Sequence, residues 1–289
     1  MTSISVPKVP RAFIWRRIHS LAGLWFVLFL VEHLLTNSQA ALWLGDNGKG
    51  FVNMVNALHN LPYLQIIEIG LLGFPILLHI VLGVKYLFTS KSNIVKSDGS
   101  KPYLPRARNY AYTFQRITSW ILLFGVILHV ARFRFIEYPE TLRSGAETYY
   151  AVKVSVDKGL YSVADRLKVT LFDQAALQKL EENWIQPLKK ETLGSNEIIA
   201  VTPDFGTATL LTVRDTFKYP LYIGLYTVFV MAACFHACNG FWTFLISWGW
   251  VLKMAAQRAW VSVSVALMLI MLFLGLAAIW GTYWMNLRV

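Results

Sequence analysis

"MAACFHACNGFW", residues 231–242, sets a histidine, an asparagine and a glycine inside an apolar run that covers 219–247. A helix needs roughly 20 residues to cross the hydrocarbon core of a bilayer, and this run has them. Four further stretches, 18–39, 64–90, 112–133 and 259–284, meet the same test. The composition agrees, at 56% hydrophobic and 15% charged with 11 Trp, against about 25% charged in soluble domains. The chain therefore reads as an all-α integral membrane protein with five transmembrane helices. Residues 1–134 carry helices 1 to 3 and residues 218–289 carry helices 4 and 5. Between them, residues 135–217 form an extramembrane insertion of mixed α/β character.

The first stretch has some features of a cleaved leader, since Arg16 and Arg17 precede an apolar core and "NSQAA" follows it. Against that, it carries Glu32 and His33, which are costly in lipid and purposeless in a discarded segment.

The net charge of +11 is explained by topology rather than by nucleic-acid binding. Lys8, Arg11, Arg16 and Arg17 precede helix 1; Lys91, Lys96, Lys101, Arg106 and Arg108 lie between helices 2 and 3; Lys253 and Arg258 lie between helices 4 and 5. The loop between helices 1 and 2 has only Lys49. Basic residues beside spans mark the cytoplasmic side, which puts the N-terminus inside, the C-terminus outside and the insertion on the outer face. From Arg132 to Lys218 the insertion region balances twelve basic against twelve acidic residues. Within it, "FDQAALQKLEENWIQPL" (172–188) reads as an amphipathic helix capped by Asp173. "EIIAVTPDFGTATLLTV" (197–213) reads as two extended runs about a Pro-Asp-Phe-Gly turn. Cys234 and Cys238, one helical turn apart, read as buried small apolar residues on the face away from His236.

Four of the six histidines, His33, His79, His129 and His236, lie deep in four successive apolar helices. One such residue is most simply a buried, hydrogen-bonded histidine; four in series point to function. Helices 1 and 3 enter from inside, and His33 and His129 sit about 15 to 17 residues along them, roughly 23 to 25 Å deep at helix rise. Helices 2 and 4 run the other way, so His79 and His236 come by the same count towards the inner face. The four thus divide into two pairs, His33 with His129 and His79 with His236, about 15 Å apart in depth.

Paired imidazoles on facing helices of a four-helix bundle suit axial ligation of haem, one pair per haem. A zinc site would want more ligands, usually with cysteine or carboxylate. A proton relay would want carboxylates among the histidines, and only Glu32 and Glu68 are near, both towards the outer side. Gly73, Gly83, Gly125 and Gly240 could open room for macrocycles or could serve ordinary close helix packing.

The flanks of these histidines carry a resemblance. "RRIHSLAGLW" (16–25), "VEHLL" (31–35), "LPYLQIIEI" (61–69), "LLHIVLGV" (77–84), "QRITSWILLFGVILHV" (115–130) and "CFHACNGFWTFLISWG" (234–249) together resemble the single-chain, five-helix, dihaem cytochrome b anchor of bacterial succinate dehydrogenase and fumarate reductase. The resemblance implies two haem b groups, the distal one on the histidines of helices 1 and 3 and the proximal one on those of helices 2 and 4. It also implies a quinone, often menaquinone, as electron acceptor, and flavoprotein and iron–sulfur partners on the cytoplasmic face of a bacterial membrane. The anchor would carry no succinate chemistry itself. Two departures stand out: the usual pattern lacks the 135–217 insertion, and Cys234 occupies the place where some fumarate-reducing relatives carry a glutamate. The second leans towards succinate oxidation.

Further site candidates have two readings each. Arg16, Arg17, His19 and Arg116, at the inner ends of helices 1 and 3, either anchor the topology or pair with the propionates of the inner haem, with Ser20 and Trp120 in support. Glu68 and Glu32 either exchange protons with a quinone or bond to helix ends; a quinone site near His19 and Ser20 is the other placement. His59 reads as a loop-packing histidine. The rival functions are the cytochrome b subunit of a hydrogenase or formate dehydrogenase, and a haem-free transporter.

Overall fold

A computed structural model describes residues 9–43, 46–90, 93–96, 98–99 and 103–289. Lys8, Lys91 and Lys101, used above for topology, lie outside the described residues. The described chain is mostly helical. Among the described residues, five helices are long and apolar enough to cross a membrane: α1 (Arg11–Leu42), α3 (Leu64–Thr89), α4 (Ala107–Ile136), α8 (Pro220–Ser247) and α9 (Met254–Asn286). Much of their surface is exposed leucine, valine and aromatic side chain, as lipid-facing helices require. Helices α3 and α8 match the stretches expected from hydropathy to within one residue, whereas α1, α4 and α9 run past theirs, because polar ends such as Arg11–Arg17 continue the helix beyond the apolar core.

Three of these helices contain π-helical turns, at Glu68–Gly73 in α3, Ala131–Ile136 in α4 and Ala277–Asn286 in α9. Such turns often mark functional positions. The amphipathic helix α2 (Lys49–His59) connects α1 to α3.

Between α4 and α8 the chain forms β1 (Glu140–Ser144), β2 (Glu147–Ser155), α5 (Leu160–Leu167), β3 (Thr170–Phe172), α6 (Gln174–Lys179), β4 (Glu197–Thr202) and α7 (Phe205–Phe217). The strands make one antiparallel sheet in the order β1-β2-β4-β3. Strand β4 is central and almost wholly buried. Its Ile199 and Val201 join Leu142, Ala151, Leu177, Ile185 and Leu188 in one core, while α7 packs against β2 and β4.

Two stretches of the insertion differ from the expectation drawn from sequence. The predicted amphipathic helix keeps its cap, with Asp173 accepting from the Ala176 N–H at 2.7 Å. It ends at Lys179, however, and 3₁₀ turns at Asn183–Ile185 and Leu188–Lys190 follow. The second predicted extended run is the helix α7. Its four threonines and Val213 favour strand, but Asp204 caps the helix by accepting from Thr207 N–H at 2.8 Å. The side chains of Thr209, Thr212 and Thr216 donate to carbonyls one turn back, which satisfies them inside a helix. Burial on nearly every side then outweighs propensity.

The described chain forms two compact units, each with its own share of the helices. The first comprises the described parts of Met1–Val31, Gln65–Leu123 and Ala232–Ile270; the second comprises those of Glu32–Leu64, Phe124–Met231 and Met271–Val289. In the first, Phe244, Leu245 and Val251 form a core with Leu24, Trp248 and Trp260 around it. In the second, α7 lies among the sheet, α2 and the final turns of α9. There Arg214 of α7, 1% exposed, makes a bidentate pair with Asp157 at 2.7 and 2.8 Å and donates to the Leu287 carbonyl at 2.7 Å. A Cβ on Gly159 would sit 1.8 Å from the Arg288 carbonyl oxygen, so only glycine lets the tail approach.

Candidate functional site

Within the first unit, the rings of His79 and His236 stand edge to face with centres 6.2 Å apart. His79, on α3, has Nδ1 3.0 Å from the carbonyl oxygen of His19 on α1. The two imidazoles also stack, 4.0 Å apart and 10° from parallel. Space for this comes from Gly23, where an added Cβ would lie 2.8 Å from the His79 ring. His236, on α8, has Nδ1 3.3 Å from the Thr118 hydroxyl, which donates to the Phe114 carbonyl at 2.9 Å and so keeps a lone pair to accept. Asn239 lies three residues beyond His236 on α8. Its amide donates to Gln115 at 2.8 Å, and Gln115 donates to the His236 carbonyl at 3.1 Å. That relay ties the His236 backbone to α4.

Within the second unit, His33 on α1 and His129 on α4 face each other at 5.8 Å, again edge to face. Nδ1 of His129 lies 3.3 Å from the Tyr226 hydroxyl. The Asn37 amide donates to the His33 carbonyl at 2.8 Å and comes within 3.5 Å of His33 Nε2, the outer limit of a hydrogen bond.

The spacing bears on what each pair can hold. Two imidazoles on opposite sides of one metal, each nitrogen about 2 Å from it, place their ring centres roughly 6 Å apart. Both pairs have that separation, and His79, His236 and His129 each have Nδ1 engaged. An engaged Nδ1 selects the tautomer that offers Nε2 to a metal. The donor set of two neutral imidazoles fits a haem, whose macrocycle brings the other four ligands.

The remaining predicted residues are distributed as follows. Ser20, next to His19 on α1, is half-buried, and Arg16 one turn earlier is exposed. The Arg17 guanidinium lies over the rings of Phe13 at 4.6 Å and Trp248 at 5.1 Å, and that of Arg116 lies over Tyr112 at 5.1 Å. Trp120 meets Phe88 edge-on. Glu68 opens the π turn of α3 in the first unit, whereas Glu32 belongs to the second, where it accepts from Thr36 at 2.7 Å. His59 stacks on Phe205 at 3.7 Å. Gly83 faces the His19 ring, Gly125 faces Phe229 and Gly240 faces Gln115.

Sequence reading did not single out Gly23, Gln115, Thr118, Tyr226 or Trp248. Gln115 and Thr118 lie within the quoted stretch 115–130, which gives neither a role of its own, so only packing identifies what each does. His19 Nδ1 and Trp248 Nε1 are buried without a hydrogen-bond partner among the described residues, a position that an acidic group of a bound cofactor would satisfy.

No family model and no solved structure matches the chain. The succinate dehydrogenase cytochrome b558 subunit of Bacillus subtilis (strain 168) is 24% identical over 272 residues, covering 94% of this chain and 97% of that one. This likeness supports a succinate dehydrogenase cytochrome b anchor. Coverage of both chains almost end to end separates this likeness from a chance match of apolar helices. Together with the five long apolar helices, it supports a multi-pass membrane protein.

Proposed function

We propose that this chain is the dihaem cytochrome b anchor of a succinate:quinone oxidoreductase. The observation that carries the reading is the meeting of four helix-borne histidines as two pairs, at 6.2 and 5.8 Å, in a homologue of such an anchor. His79 and His236 hold one haem b; His33 and His129 hold the other. When bound, the haems supply one-electron transfer between the soluble subunits and a quinone. The chain's own residues orient the ligands: the His19 carbonyl and Thr118 hydroxyl in the first unit, the Tyr226 hydroxyl in the second. Arg17, His19, Ser20 and Arg116 stand as partners for the propionates of the His79–His236 haem, because His19 lies against that pair and carries an orphaned ring nitrogen.

The flavoprotein and iron–sulfur subunits dock on the cytoplasmic side, where basic residues gather at the start of α1 and between α3 and α4. The sheet-bearing insertion, residues 135–217, then faces outward. Menaquinone is the quinone class that the resemblance favours, with Glu32 and Glu68 as candidate proton-exchanging groups. Cys234 in place of a glutamate favours operation towards succinate oxidation.

A reduced-minus-oxidised spectrum with haem counted per chain tests the reading. Two low-spin b haems are expected, falling to one in His236→Ala and in His129→Ala. A purified chain without haem would overturn it.

A further inference from the structure

We propose that Tyr226 is a positioning residue for the haem held by His33 and His129, its phenol oxygen accepting the Nδ1–H of His129. The inference rests on the dihaem reading above and adds to it a determinant of that haem's properties. It begins with the 3.3 Å contact between His129 Nδ1 and the Tyr226 hydroxyl, a link between α4 and α8 inside the second unit.

The surroundings leave the phenol little freedom. Phe133, Phe217 and Phe229 meet its ring edge-on, with centres 6.2, 5.3 and 6.0 Å away. One turn earlier on α8, Tyr222 lies beneath the Arg132 guanidinium at 4.0 Å. Arg132 is itself held by Glu137 at 2.7 Å and by the Thr216 hydroxyl at 3.3 Å. Close approach of α8 to α4 depends on Gly125, since a Cβ there would come 2.5 Å from the Phe229 ring. Glycine, aromatic cage and clamped arginine together place the hydroxyl beside one imidazole.

A hydrogen bond accepted from Nδ1–H makes the imidazole a stronger donor to its metal and fixes the plane of the ring. The pair in the first unit is oriented differently, by a backbone carbonyl and an aliphatic hydroxyl. Only the second relies on a phenol, which can be removed without disturbing the backbone. Loss of the acceptor weakens ligand donation, stabilises the reduced haem and raises its potential.

The test uses the whole complex in membranes and compares wild type, Tyr226→Phe, Tyr222→Phe and His129→Ala by redox titration and by electron paramagnetic resonance of the ferric haems. The component missing from His129→Ala identifies the haem concerned. Tyr226→Phe should move that component to higher potential and change its resonance signal, leaving the other component as in wild type. Tyr222→Phe removes a neighbouring hydroxyl that does not touch His129 and should move neither. Unchanged titration in Tyr226→Phe, a shift of the other component, or equal shifts in both tyrosine variants would overturn the proposal while the dihaem reading stands. Two full haems in His129→Ala would overturn that reading instead.

Discussion

The imidazole of His79 stacks on that of His19 at 4.0 Å while its Nδ1 reaches the His19 backbone carbonyl at 3.0 Å. One residue of α1 therefore fixes both the plane and the tautomer of a histidine on α3. A side-chain substitution at His19 removes the stack but keeps the carbonyl. His19→Ala should retain the haem on His79 with an altered absorption or resonance signal, whereas His79→Ala should lose it; haem content and spectra of the two variants check this.

Gly23 makes that arrangement possible. Gly23→Val would push side-chain atoms into the His79 ring, since even a first added carbon would come within 2.8 Å of it. Haem should fall towards one per chain, the survivor being the one that depends on His33 and His129. Haem quantification on the purified protein reads the result.

The relay from Asn239 through Gln115 to the His236 carbonyl ties α8 to α4. Replacing Gln115 by leucine strands the Asn239 amide and removes two interhelical hydrogen bonds, each worth about 0.6 kcal/mol on average in a membrane. A lowered thermal midpoint in detergent, with weakened retention of the His236 haem, is the expected outcome.

Arg214 and Asp157 are coupled to the C-terminal residues. Asp157→Ala leaves the buried guanidinium without its partner and should destabilise the second unit by about 3–5 kcal/mol; calorimetry or proteolysis of the 135–217 region measures it. Burial alone would raise the Asp157 carboxyl, but hydrogen bonds and charge from Arg214, the Gly159 N–H and the Lys218 charge hold it below its ordinary value. A carboxyl depressed in the folded state contributes stability above its unfolded pKa, about 3.9 for aspartate, and loses it as pH falls through the folded value. The second unit should therefore loosen in acid below about pH 4, and Asp157→Ala should show less of that acid step.

Asp204 is the cap that starts α7, and its other carboxylate oxygen accepts from Asn56 at 2.8 Å. Asp204→Ala should cost about 1 kcal/mol from the cap, seen as an earlier thermal transition.

Hydropathy by itself located the five membrane helices, because a bilayer demands long apolar segments whatever they pack against. Helix rise and alternating direction likewise assigned the four deep histidines to two depths, and the structure brings His33 to His129 and His79 to His236. Contacts between distant segments were not legible in that way. The run "FGTATLLTV" has the β-branched content of a strand and became the helix α7 because the Asp204 cap and burial on nearly every side overrode a propensity worth only tenths of a kcal/mol per residue. Gly23, Thr118, Gln115 and Tyr226 acquire meaning only from the side chain or carbonyl opposite each of them, which belongs to a different helix far away in chain order. Local pattern is a property of a segment and its solvent; the orientation of an imidazole is a property of its neighbours, and tertiary packing alone decided it.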